Sequence, residues 1–128
     1  MTGPIEELQS VIRDYFDALY HCDTELLQKV FHPKAVYATA DETPLLHRTM
    51  DEYVPVVAAR VSPASRGEIR DDVIDEIQLA GDNTAFARVR CTLAGKAYVD
   101  FLTFVRDEGH WRIMAKIFQM NAENKGGA

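Results

Sequence analysis

Apolar residues near the start of the chain recur at spacings of three and four, the period of an amphipathic helix. The stripe predicts a first helix from about Pro4 to Tyr20; its apolar positions are Ile5, Leu8, Val11, Ile12, Tyr15, Phe16 and Leu19. Asp23 or Thr24 should cap a second short helix that ends at Pro33.

A capping box at Thr49-Met50-Asp51-Glu52 predicts a third helix, which should continue to about Arg60. Pro55 lies inside this helix and removes one of its backbone hydrogen bonds. A loop at 62–67 should separate the helix from the C-terminal half of the chain.

The remaining segments favour strands, because apolar and polar residues alternate or the run is apolar on both faces. Two short strands are predicted at 35–39 and 45–48. Four longer strands come after the third helix, separated by turns at 81–83, 94–96 and 108–109. Helices that precede a run of hairpins indicate an α+β fold, with three N-terminal helices packed on one face of a curved antiparallel sheet. We expect one domain over residues 1–120 and a disordered polar tail at 121–128.

Composition narrows the class of protein. The chain has 128 residues, of which 47% are hydrophobic, and its net charge of -6 disfavours nucleic-acid binding. No secretory signal and no apolar run long enough for a membrane span is visible, so we expect a cytoplasmic protein. Cys22 and Cys91 are expected to be free thiols in a reducing compartment.

Asp100 is the most informative polar residue, because it lies in a strand that is apolar on both faces. A buried carboxylate needs a partner, so Asp100 is either a paired structural carboxylate or the polar group of a pocket. Lys116 has the same character: it is either a salt-bridged or snorkelling lysine, or a pocket residue. Tyr15 is either a core tyrosine or a hydroxyl that faces a ligand.

The last hairpin decides whether Asp100 faces Lys116. A three-residue loop at 107–109 pairs these two residues, whereas a two-residue loop at 108–109 places Asp100 opposite Ile117. We favour the first register, because the second leaves a buried charge without a partner.

The sequence gives little support for a metal site or a cofactor site. The four histidines, His21, His32, His47 and His110, lack metal-ligand spacing. His32 is interpreted as a helix-end cap. The acidic cluster at 71–76 is interpreted as the solvated side of a strand rather than a calcium site. Phosphate-binding and dinucleotide-binding glycine motifs are absent, so no metal and no cofactor are expected.

Several segments together resemble a known family; they are Tyr15-Phe16-Asp17, Phe31-His32-Pro33, Tyr98-Val99-Asp100-Phe101-Leu102, Trp111-Arg112-Ile113 and Lys116-Ile117-Phe118. They resemble the nuclear transport factor 2-like (NTF2-like or SnoaL-like) superfamily, and look most like its small bacterial branch labelled "putative lumazine-binding". The resemblance implies a cone-shaped, cystatin-like fold and dimers that pair sheet to sheet. It does not fix function, because the superfamily contains isomerases, cyclases, dehydratases and transport adaptors.

Ketosteroid isomerase, within this superfamily, provides a comparison residue by residue. Tyr15 and Asp100 match its oxyanion hole, but Thr39 occupies the position of its general base. Threonine cannot abstract a proton at neutral pH. The leading hypothesis is therefore a domain that binds a small, partly apolar molecule. The alternative is an isomerase, cyclase or dehydratase that uses Asp100 and Tyr15 for acid/base chemistry.

We expect a mostly apolar pocket between the first helix and the sheet, since Ala85, Ala87 and Cys91 would leave space there. Its predicted lining, and so the predicted ligand-binding set, is Tyr15, Tyr37, Thr39, Tyr53, Asp100, Lys116 and Phe118. The opposite face carries Val99, Phe101 and Val105, which predicts a homodimer through the outer face of the sheet.

Overall fold

The computed structural model describes residues 3–121. Its helices are α1 (Pro4–His21), α2 (Thr24–Val30) and α3 (Met50–Ala58), with a 3₁₀ helix at Ala64–Arg66. Its strands are β1 (Phe31–Thr39), β2 (Leu46–Thr49), β3 (Val73–Ala80), β4 (Thr84–Leu93), β5 (Lys96–Asp107) and β6 (His110–Asn121). The predicted disordered tail lies outside the described residues, apart from Asn121, which ends β6. None of the helices in the described part is long and apolar enough to cross a membrane.

The strands form one sheet in the order β2-β1-β6-β5-β4-β3. The predicted α+β class is confirmed, but the sheet is not wholly antiparallel, because β1 pairs with β6 in parallel. Four further strands and α3 lie between β1 and β6 in the chain. That connection is long enough for the crossover that a parallel pair requires.

The starts of α2 and α3 agree with the predicted caps, whereas the end of α2 differs from its prediction. The Asp23 carboxylate accepts a hydrogen bond from the Leu26 backbone N–H at 3.1 Å, and Glu52 accepts one from the Thr49 N–H at 2.9 Å. The prediction that Pro33 ends α2 is wrong, because the strand already begins at Phe31. Pro33 is tolerated inside β1 since the pairing with β6 is irregular between Phe31 and Val36.

The hydrophobic core lies between the helices and one face of the sheet. Alternate residues of β4 are buried there, as the period of two predicts. Apart from Ala18, the core residues of α1 are the buried part of its predicted stripe. The two groups are Leu8, Ile12, Tyr15, Phe16 and Leu19 from α1, and Ala85, Ala87, Val89 and Cys91 from β4.

The register of the hairpin between β5 and β6 differs from the one that the sequence favoured. Its turn has two residues, Glu108 and Gly109, both with positive φ. A bulge at Met114 then shifts the pairing, so that Asp100 lies opposite Phe118 rather than Lys116 or Ile117. The extra residue moves the inward-facing positions of β6 from odd to even numbers, and this shift turns Lys116 into the core.

Candidate functional site

A polar cluster lies inside the core, where α1, β5 and β6 meet. Asp100 is fully buried, and the Tyr15 hydroxyl donates a hydrogen bond to its Oδ2 at 2.6 Å. The Lys116 Nζ lies 4.0 Å from the same oxygen. Although Lys116 is not directly opposite Asp100, it is its diagonal neighbour on the same face of the hairpin. Asp100 and Lys116 are therefore close, as the sequence predicted, although the strand register that brings them together differs from the predicted one.

The Lys116 ammonium group lies among four aromatic rings. Its Nζ is 5.1 Å from the ring centre of Tyr15, 5.3 Å from those of Tyr37 and Phe118, and 5.8 Å from that of Tyr53. Burial alone would lower the pKa of Lys116, but the Asp100 carboxylate and the nearby tyrosines outweigh it and the pKa is raised. The lysine is therefore a cation held by a carboxylate and by ring faces.

The neighbouring acids are held in their neutral forms. Burial, followed by the nearby Asp100 carboxylate, raises the pKa of the Tyr15 hydroxyl and brings that of the Cys91 thiol to about 12. Burial also raises the pKa of Tyr53, against the opposing effect of Lys116. At neutral pH Tyr15 is thus a hydrogen-bond donor. Among residues 3–121, neither Asp100 Oδ1 nor the Tyr53 hydroxyl has a hydrogen-bond partner.

An open cleft of about 340 Å³ lies next to this cluster. One side is formed by three aromatic residues, Tyr37, Tyr98 and Phe118, which we call the aromatic wall. The Phe118 ring centre lies 4.8 Å from that of Tyr37 and 5.9 Å from that of Tyr98. Leu19, Leu46 and Met120 add apolar surface. Because Tyr37 and Phe118 also contact Lys116, the wall separates the cleft from the buried polar cluster.

The structure divides the predicted lining set into two groups. Tyr37 and Phe118 line the cleft, whereas Tyr15, Thr39, Tyr53, Asp100 and Lys116 do not and are at most 4% exposed. The expectation that the cavity reaches Asp100 is therefore corrected. Aromatic rings fill the core between α1, α3 and β1: Phe31 packs 5.9 Å from Tyr15 and 5.8 Å from Tyr53, and Tyr53 stacks 4.2 Å from Tyr37.

Sequence reasoning missed four basic residues around the cleft. They are Arg48, Arg60, Arg66 and Lys96, which we call the cationic collar. Arg48 lies in β2, Arg66 in the 3₁₀ helix and Lys96 in β5, whereas Arg60 lies in the loop two residues after α3. No spacing along the chain connects them, and only the fold brings them together. The one usable signal in the sequence was that Arg48 lies in a predicted strand, at 45–48. In the structure Arg48 faces Tyr37 across the β1–β2 pair.

The remaining candidates have structural partners. His32 Nδ1 accepts the Lys34 backbone N–H at 3.1 Å, and its Nε2 lies 3.0 Å from Asp107, so it ties β1 to the last hairpin rather than capping a helix. In the acidic cluster, Asp75 binds Arg90 and Asp71 accepts two hydrogen bonds from Thr92. Within residues 3–121, no group of three or more His, Cys, Asp or Glu side chains is placed to hold a metal ion.

Comparison with known families decides the identity of the domain. A family model described as "Putative lumazine-binding" matches residues 4–119. The chain belongs to this family. The resemblance seen in the sequence is thereby confirmed. A comparison with curated proteins gave no match.

Solved structures show that the chain has the NTF2-like fold. An NTF2-like protein of unknown function from Silicibacter pomeroyi DSS-3 is 25% identical, with a TM-score of 0.77 over 91% of this chain and 95% of that one. Another from Shewanella baltica OS155 is 19% identical, with a TM-score of 0.78 over 96% and 100%. A ketosteroid isomerase-like protein from Erwinia carotovora atroseptica SCRI1043 is 13% identical, with a TM-score of 0.74 over 95% and 99%, which shows the fold alone.

Proposed function

We propose that this lumazine-binding family member binds a small, partly apolar organic molecule in the cleft beside the aromatic wall. The observation that carries the proposal is the cleft itself. Its volume of about 340 Å³ falls within the range of about 300–1,000 Å³ typical of ligand pockets. It combines aromatic and aliphatic surface with a few charged groups, the usual composition of such sites.

The proposal is tested by filling the cleft. Val56 lines it from α3, and Val56→Trp should occupy it. A thermal-shift screen of aromatic and polycyclic compounds should yield a ligand that stabilises the parent by about 2.7 kcal/mol at one hundred times its Kd. The same compound should not stabilise Val56→Trp.

Val54→Trp is the matched control, because Val54 lies on the same helix but lines a separate groove with Phe31 and Met50. It should retain the shift. The proposal fails if no compound shifts the parent, or if the Val56→Trp variant binds the compound as tightly as the parent does.

The alternative function, acid/base catalysis by Asp100 and Tyr15, is less well supported. A general base must come within about 3 Å of the proton that it removes. Asp100 is fully buried, and its Oδ2 is already engaged by Tyr15 and lies near Lys116. In the binding proposal this cluster supports the aromatic wall from behind. Asp100→Asn should then lower stability without abolishing ligand binding, whereas a loss of turnover would support an enzyme.

We also propose a homodimer through the outer face of the sheet. Phe101 is 44% exposed and Ile117 is 47% exposed, although they face each other in the middle of the sheet. Phe86 packs on Phe101 at 5.4 Å between ring centres, and Arg88 lies over the same ring. A second copy of the chain would cover this apolar strip with an identical one. A cytoplasmic location and the absence of a nucleic-acid partner remain predictions from the sequence.

A further inference from the structure

The charges of the cleft are opposite to those of the chain as a whole. The chain has 14 Lys and Arg residues against 20 Asp and Glu residues. Around the cleft, by contrast, the four basic residues of the cationic collar face a single carboxylate, that of Glu42. A concave site that carries one sign of charge attracts ligands of the other sign.

Among residues 3–121, the collar residues form no salt bridge, in contrast to three other arginines. Arg70, Arg88 and Arg90 each form a salt bridge with an aspartate. A guanidinium group without a carboxylate partner retains its capacity to bind an anion. Arg48 and Arg66 can therefore take an acceptor from a ligand, whereas Arg60 is also engaged by the Tyr37 side chain.

Arg48 provides the most specific observation. Its Nε is buried and has no hydrogen-bond partner among the described residues. A buried N–H without an acceptor is unfavourable, and Arg48 is also one of the residues that line the cleft. Arg48 lies opposite Tyr37 of the aromatic wall in the β1–β2 pair. A ligand that contacts the wall is therefore within reach of this guanidinium group.

We infer that the cleft selects a planar aromatic carboxylate, whose ring packs on Tyr37, Tyr98 and Phe118 and whose carboxylate binds Arg48, with Arg60 and Lys96 beside it. This inference rests on the proposed function and adds the charge class of the ligand. The fork of donors on a guanidinium group matches the two oxygens of a carboxylate. The cleft volume of about 340 Å³ suits a body of one or two fused rings.

The experiment compares two probes of the same shape, 2-naphthoate and its neutral amide, 2-naphthamide, by isothermal titration calorimetry. The carboxylate should bind at least about tenfold more tightly than the amide, because hydrogen bonds to a charged group are the stronger ones. Added salt should weaken the binding of the carboxylate and leave that of the amide unchanged.

The variant Arg48→Gln should abolish this preference while leaving the affinity for the amide unchanged. It should unfold at the same denaturant concentration as the parent or a higher one, since it removes a buried group without a partner. Arg13→Gln, on the exposed side of α1, removes the same charge away from the cleft and should retain the preference. Arg60→Gln provides a second test if Arg48→Gln does not fold, and should reduce the preference.

Equal binding of the two probes would overturn the charge inference and leave the proposed function intact. Binding of neutral aromatic compounds without any binding of naphthoate would overturn it in the same way. A failure of every compound, charged or neutral, to bind would instead refute the proposed function.

Discussion

Asp100 is a buried charge whose environment satisfies only one of its oxygens. Oδ2 accepts the Tyr15 hydroxyl and lies near Lys116, whereas Oδ1 has no partner among residues 3–121. A buried ion pair is weak evidence for net stability, because both groups have lost their hydration. Its members nevertheless depend on each other, since removing one leaves the other as an isolated charge.

Replacement of Lys116 by methionine tests this dependence. Lys116→Met should lower the free energy of unfolding by about 3–5 kcal/mol, because the Asp100 carboxylate would remain buried without its cation. Chemical denaturation measures the loss. Lys29→Met, at an exposed position of α2, is the control and should change stability by no more than about 0.5 kcal/mol.

The double variant Lys116→Met with Asp100→Leu separates the ion pair from simple packing. The free energy of unfolding of this double variant should be close to that of the parent, because no isolated charge remains. A Lys116→Met protein as stable as the parent would show that Asp100 does not depend on the lysine.

The burial of Cys91 predicts a loss of stability at alkaline pH. Its pKa in the folded protein is raised from 9.0 to about 12, chiefly by burial. A thiol whose pKa is higher in the folded protein than in the unfolded protein stabilises the folded state fully at pH values below the unfolded pKa. That contribution is lost as the pH rises through the folded pKa. The free energy of unfolding should therefore fall from pH 9 upwards, by on the order of 4 kcal/mol at pH 12 from this thiol alone.

Denaturation curves measured at several pH values above 9 provide the readout. Cys91→Ala should flatten the decline. Cys22→Ala should flatten it less, because Cys22 is only partly buried and the neighbouring Arg60 opposes the increase in its pKa. Parallel curves for the parent and for Cys91→Ala would contradict the prediction.

At the scale of elements, the sequence predicted the helices better than the pairing of strands. Asp23 and Glu52 carry local signals for helix starts, and both act as predicted. Strand register depends instead on interactions between distant segments. The turn at Glu108-Gly109 could be identified, but nothing local marks Met114 as a bulge.

That bulge matters for the site because of the alternation along β6. Ile113 and Lys116 are both buried, although they are three residues apart and would face opposite sides of a regular strand. The sequence identified Asp100 and Lys116 as unusual residues in apolar strands. It could not give the geometry between them, since that geometry results from a single extra residue.

For the whole molecule, the fold class and the family could be recognised from sequence, whereas the extent of the cavity could not. Small residues in β4 predicted a cavity that reaches Asp100, but Tyr15, Phe31 and Tyr53, from three different elements, pack together in the core, and the cleft does not reach Asp100. The cationic collar was also invisible, because its members are spread over three elements and one loop of the chain. Both features depend on the summed volumes and positions of side chains from several elements.

The outer face of the sheet makes the last prediction. If a second copy covers Phe101 and Ile117, sedimentation should show a dimer at micromolar concentration. Phe101→Glu should yield a folded monomer, since a carboxylate would be buried at the interface of the dimer but remains solvated, beside Arg88, in the monomer. Ile69→Glu is the control, because Ile69 is 89% exposed, precedes β3 and lies outside the strip. A monomeric parent, or a Phe101→Glu protein that remains dimeric, would exclude this face as the interface.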